Sequence, residues 1–154
     1  LKKEDAFTSY RWRNNPDIWQ FTGSKPDQRI TPEIELNWIK KVLKEEDSKR
    51  FAICLKENDK YIGNIQLTNI RNRTAEFHIF IGEQEFWGKG IGTEATKLLL
   101  KYAFEELKLK QVYLYVNPKN IAAIKSYEKC GFIFQQKIDD EKMLFVINNA
   151  NYDE

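Results

Sequence analysis

Histidine, cysteine and long apolar runs are scarce in this chain, and each scarcity closes an option. One His and two Cys cannot supply the ligand set of a Cys/His zinc site, so no metal is expected. Two Cys among 154 residues make no disulfide framework. Cys54 and Cys130 therefore read as reduced thiols, and the expected compartment is cytoplasmic. No apolar stretch approaches the roughly 20 residues of a membrane span, and residues 1–20 contain no apolar signal region. Membrane partners are not expected. A surplus of one charge is also missing: 25 basic residues face 23 acidic ones. A dedicated nucleic-acid binder carries a basic surplus, and the aromatic residues are too dispersed for a base-stacking platform. There is no repeat, low-complexity tract or linker. The chain opens on Leu1 rather than Met, and the expectation is that preceding residues, including much of a first strand, are missing.

What is present is a normal soluble composition with 14% aromatic residues, enough large side chains to offset chain entropy in one domain over residues 1–154. Residues 5–14 read as a short helix ending before Asn15-Pro16. Thr31-Pro32-Glu33 starts a second helix, with Thr as N-cap and Ile34, Trp38, Ile39 and Val42 at helical spacing. Residues 50–56 and 60–69 pair as an antiparallel hairpin around Asn58-Asp59. In 74–82, Phe77, Ile79 and Ile81 face one way and Glu76, His78 and Phe80 the other. A long helix is expected from Thr93 to Leu107, with Leu98, Leu99, Tyr102, Ala103 and Leu107 as its stripe. A strand at 111–116, a helix at 120–129 closed by Gly131, and strands at 132–137 and 142–147 complete the order. The fold class is α/β or α+β with a mixed sheet.

Trp87-Gly88-Lys89-Gly90-Ile91-Gly92-Thr93 lies between a strand and a helix. Its glycines allow a sharp turn and close backbone approach, and the helix start presents N–H groups to an anion. The GxxxxGK[ST] spacing of a P-loop is absent. A GxGxxG fingerprint fails at Thr93, and the loop lies too late in the chain for a two-half dinucleotide fold. A coenzyme A pyrophosphate loop and a glycine-rich connection without ligand remain open at this point. Downstream, Asn120, Ala123 and Tyr127 fall on one face of one helix.

Taken together, Gly88-Lys89-Gly90-Ile91-Gly92-Thr93-Glu94-Ala95 and Asn120-x-x-Ala123-x-x-x-Tyr127-x-x-x-Gly131-Phe132 resemble the two signatures of the GNAT superfamily of acetyl-CoA-dependent N-acyltransferases. The branch most similar contains ribosomal-protein N-terminal acetyltransferases with their amino-sugar and polyamine relatives. Trp87 stands where many members carry Gln or Arg, and it offers an indole and a backbone N–H instead. The resemblance implies a central, mostly antiparallel sheet with a splay between two parallel strands, 75–82 and 111–116, flanked by helices. It implies acetyl-CoA as co-substrate, with backbone N–H groups of residues 88–93 on the pyrophosphate. Backbone groups near Phe80 and Ile81 would meet the pantetheine arm, Asn120 would hydrogen-bond it, Ala123 would leave it room, and Tyr127 would protonate the departing sulfur.

Glu76 and His78, on one strand face, are the candidate base pair that drains the amine's proton through water. On the acceptor side, Arg11-Trp12-Arg13 with Trp19 and Phe21 places guanidiniums among aromatics, suited to phosphate and to a base or sugar. This run resembles the WRN-type segment of acetyltransferases for nucleotide-linked amino sugars. Arg73-Thr74-Ala75-Glu76-Phe77-His78-Ile79 instead resembles spermidine acetyltransferases, with Glu33 and Glu35 for cationic arms. A protein N-terminal amine is a third acceptor. A non-catalytic coenzyme-A-binding module is the alternative of another class. Homodimerisation is compatible with the aromatic content, but no motif specifies it.

Overall fold

The computed structural model describes residues 1–18, 26 and 28–149. Helices α1 (Ala6–Asn14) and α2 (Pro32–Val42) come first, then strands β1 (Lys49–Cys54), β2 (Tyr61–Arg71) and β3 (Thr74–Ile81). Helix α3 (Ile91–Lys101), β4 (Gln111–Val116), α4 (Ile121–Lys129), β5 (Ile133–Asp139) and β6 (Lys142–Asn148) follow. The element order matches the sequence reading. Thr31 caps α2 as expected, its hydroxyl accepting the Ile34 N–H at 3.2 Å.

The six strands form one sheet in the order β1-β2-β3-β4-β6-β5. Every neighbouring pair is antiparallel except β3 and β4. That parallel pair is brief, joining only Thr74, Ala75 and Glu76 to Gln111, Val112 and Tyr113. Beyond it β3 stays with β2 as far as Ile81, while β4 stays with β6 as far as Val116. The sheet therefore divides into two half-sheets that part beyond Glu76, leaving the V-shaped gap that the resemblance implies.

Helices cover both faces. On one, Leu99, Leu100, Ala103 and Phe104 pack with Phe77, Val112, Leu114, Phe145 and Ile147. On the other, Ala6, Trp12, Ile39 and Val42 are buried. The middle of β2 accordingly has four consecutive buried residues, Ile62 to Ile65, because both of its faces are covered. Burying each large aliphatic side chain stabilises by about 1.5–3 kcal/mol.

Two expectations need correction. The long helix stops at Lys101 and continues as one π-helical turn, Tyr102–Glu106, in which the Leu107 N–H reaches back to the Tyr102 carbonyl at 3.1 Å. Leu98 is not in the apolar stripe; it is 61% exposed. The core face runs through Thr96, Leu99, Leu100 and Ala103, and Leu98 lies two residues from both Thr96 and Leu100, on the opposite side of the helix.

Candidate active site

The glycine loop ends in an anion-ready helix start. Gly88 and Gly90 have φ of 74° and 80°, in the left-handed region, and a Cβ on either would meet nothing within 4 Å. Backbone conformation, rather than crowding, demands glycine there. Gly90 is the N-cap of α3, and its carbonyl takes the first helical bond, from the Glu94 N–H at 3.0 Å. The N–H groups of Ile91, Gly92 and Thr93 precede that bond and have no intrahelical acceptor. With the helix dipole, they form the cradle an anion needs. The Lys89 ammonium lies 5.5 Å from the Phe86 ring, at the side of the loop.

Trp87 behaves differently from the Gln or Arg it replaces. Its indole N–H donates to the Ile81 carbonyl at 2.8 Å, tying the loop back to the end of β3. The Ile81 oxygen is thereby already engaged. Neighbouring Phe80 packs edge-on against Trp12, with ring centroids 5.7 Å apart.

Tyr127 enters from the α3–α4 side. Its ring sits edge-on to Phe77 at 6.0 Å and to Phe132 at 5.9 Å. Burial, with a smaller contribution from the Cys130 thiol, pushes its phenol up to about 12. Asn120 caps α4, its Oδ1 accepting the Ala123 N–H at 3.3 Å. The side-chain oxygen is therefore committed to the helix, and what Asn120 can offer a ligand is its NH2 group.

Glu76 and His78 come together on the opposite face of β3. His78 Nε2 lies 3.2 Å from Glu76 Oε2 and 3.1 Å from Thr68 Oγ1. The Asn69 amide donates to Glu76 Oε1 at 3.3 Å. The hydrogen bond from His78 is the first cause holding the Glu76 carboxyl below its ordinary range; burial opposes it, and the His78 charge, Asn69 and Lys142 add to it. A carboxylate kept ionised in this way is a weak proton acceptor but a good orienting partner. His78 stands two residues, about 7 Å of strand, before Phe80.

The acceptor residues divide. Trp12 is 3% exposed, tilted on Tyr61 at 4.8 Å, and closes against Gly82. It is a core anchor and not a stacking platform, because its faces already carry protein. The Arg13 guanidinium bonds Glu35 Oε1 at 3.0 Å and lies 5.2 Å from the Trp38 ring. Glu35 is fully buried, so it is not free for a cationic arm as the polyamine reading expected. Arg11 stays largely exposed, 3.6 Å from Glu83, and Glu33 is exposed. Trp19 and Phe21 lie outside the described residues. Asn14, which the motif reading passed over, bonds the Ile30 carbonyl and N–H, both at 2.7 Å. It ties the end of α1 to the residue before the Thr31 cap; its position beside Arg13 was the available signal.

Residues 1–133 match the family described as Acetyltransferase (GNAT) domain. The chain belongs to the GNAT acetyltransferases. It is 30% identical over 140 residues to acetyltransferase PseH of Campylobacter jejuni, covering 91% of this chain and 84% of that protein. It is 30% identical over 150 residues to spermidine N(1)-acetyltransferase of Escherichia coli, covering 96% of this chain and 76% of that one. The solved spermidine N-acetyltransferase of Vibrio cholerae, in complex with CoA and spermine, superposes with a TM-score of 0.87 at 25% identity, over 100% of this chain and 95% of that one. As a GNAT acetyltransferase, the protein uses acetyl-CoA as co-substrate and moves an acetyl group to an amine. Among the described residues no cluster of His, Cys, Asp and Glu could hold a metal ion, and no helix is long and apolar enough to cross a membrane.

Proposed function

We propose that the protein acetylates a primary amine of a small molecule carried on a nucleotide, an amino sugar being the first choice. The observation that carries this choice is the enclosure of Glu35. A polyamine needs carboxylates facing its ammonium groups, and the one that α2 directs inward is already neutralised by Arg13. Arg11, exposed at the end of β3 beside Glu83, remains available to a phosphate. The WRN-type segment supports the same choice.

In this reading the N–H groups of residues 88–93 hold the coenzyme pyrophosphate, and the pantetheine arm lies in the gap between β3 and β4. The Ile81 N–H meets the arm and polarises the thioester carbonyl, whereas the Phe80 carbonyl faces Gly63 of β2, so the part expected of Phe80 falls away. Trp87 keeps the loop against β3 while this happens. On the acceptor side, His78 takes the amine's proton through water. With Nε2–H donated to Glu76, Nδ1 is the nitrogen with a free lone pair. The amine attacks the carbonyl carbon, the tetrahedral oxyanion collapses, and the carbon–sulfur bond breaks. Tyr127 donates its proton to the leaving sulfur from the other face.

A polyamine acceptor is the second reading. It is favoured by the Glu76 carboxylate and by the likeness to the spermidine acetyltransferases. The test is thiol release from acetyl-CoA with a UDP-linked amino sugar, spermidine and an N-terminal peptide, with an enzyme-only blank because Cys54 and Cys130 are free thiols. Turnover confined to the amino sugar is expected. Turnover confined to spermidine selects the second reading, and coenzyme binding without turnover on any amine selects a non-catalytic module.

A further inference from the structure

Two side-chain contacts join the start of α3 to α4, and no step above uses them. Thr93 Oγ1 and Ser126 Oγ are 2.7 Å apart, a bond in which either hydroxyl can donate. The Cys130 thiol donates to the Thr93 carbonyl at 3.7 Å. Ser126 and Cys130 are four residues apart, so one face of α4 meets Thr93 twice. Thr93 also supplies the third N–H of the anion cradle, and Ser126 immediately precedes Tyr127.

Helix α4 depends on such tethers, for none of its residues is fully buried. It is seated by Ala123, Ile124 and Tyr127, all partly buried against the core. Apolar contacts of that kind are non-directional and let a helix slide or rotate by small amounts. A short hydroxyl–hydroxyl bond is directional and fixes the rotation.

We propose that Ser126 is a positioning residue that, through Thr93, couples occupancy of the pyrophosphate cradle to the orientation of the Tyr127 phenol. An anion drawn to the N–H groups of residues 91–93 fixes the Thr93 backbone, and the Thr93 hydroxyl passes that constraint to Ser126 and so to the next residue. The proposal rests on the reading of Tyr127 as the acid.

The test uses adenosine 3′-phosphate 5′-diphosphate, the nucleotide part of the coenzyme without the arm that would reach Tyr127. The protein is labelled with 3-fluorotyrosine, and the Tyr127 fluorine resonance is assigned by its loss in Tyr127→Phe. In the unmodified protein, saturating nucleotide should shift that resonance. In Ser126→Ala the shift should vanish while nucleotide affinity stays within about threefold, and Ser126→Thr should restore it. Ser126→Ala should also lower kcat about 3- to 10-fold with little change in KM for acetyl-CoA. The same change in a Tyr127→Phe background should lower kcat no further. A resonance that moves equally in Ser126→Ala, or does not move in the unmodified protein, overturns the proposal. Tyr127→Phe with full turnover overturns the acid role and the proposal with it. That failure is separable from a loss of coupling, because the fluorine signal is read without turnover.

Discussion

Tyr127 illustrates how one residue's surroundings set its chemistry. Packing against Phe77 and Phe132 partly buries its phenol, and the resulting upward displacement to about 12 leaves it protonated at any physiological pH. A proton donor needs that property, and it makes Tyr127 useless as a base. Replacing it with Phe preserves the ring packing and removes the proton. Turnover should fall at least ~10-fold, since a positioned acid contributes roughly 10²–10⁴-fold, while calorimetry should find coenzyme binding unchanged. The same displacement has a stability consequence. The unfolded phenol ionises near its ordinary value of 10, whereas the folded one waits until about 12. Its contribution is thus fully present below pH 10 and lost as pH rises through the folded value. Denaturant melts between those limits should show a steeper loss for the unmodified protein than for Tyr127→Phe. Equal slopes would mean that the phenol is not desolvated.

The elements show where local patterns suffice and where they do not. Alternation revealed β3 with its two faces, and the Thr-Pro-Glu start revealed α2, because those signals depend on near neighbours. The glycine loop and the Asn120 to Tyr127 face were legible for the same reason. Trp12 was not. An indole beside two arginines reads equally as a ligand platform or a core anchor, and the choice depends on Gly82, seventy residues away. A Cβ on Gly82 would come within 2.0 Å of the Trp12 ring, so the glycine exists to let that ring in. Gly82→Ala should lower stability by about 1–3 kcal/mol, read as a shifted denaturation midpoint at unchanged m-value. Unchanged stability would show that Trp12 can withdraw freely. The exposure of Leu98 and the π-helical turn after Lys101 were hidden too, since both depend on how α3 meets the sheet. The Arg13–Glu35 pair was hidden because two helices must pack before those charges meet.

For the whole molecule, the decisive fact is that two half-sheets are joined by a brief parallel pairing and then separate. In the proposed reading the coenzyme arm lies in the gap they leave, and filling it ties the halves together. Saturating acetyl-CoA at about 100 times its Kd should stabilise the fold by about 2.7 kcal/mol, a rise in Tm of roughly 5–10 °C. No rise at that concentration would mean that the coenzyme does not bind the folded chain in preference to the unfolded one. Tyr127, beside Phe77, and His78, on the alternate side of β3, lie on opposite faces of that strand, and in the proposed reading they flank this opening. On that reading donor and acceptor are present at once, each entering from its own face, and neither must depart before the other arrives. The acetyl group then needs no resting place on the protein, and initial-rate lines at several fixed amine concentrations should intersect. Parallel lines would reveal an acetylated enzyme instead, and a hand-off in two stages where the architecture provides for one.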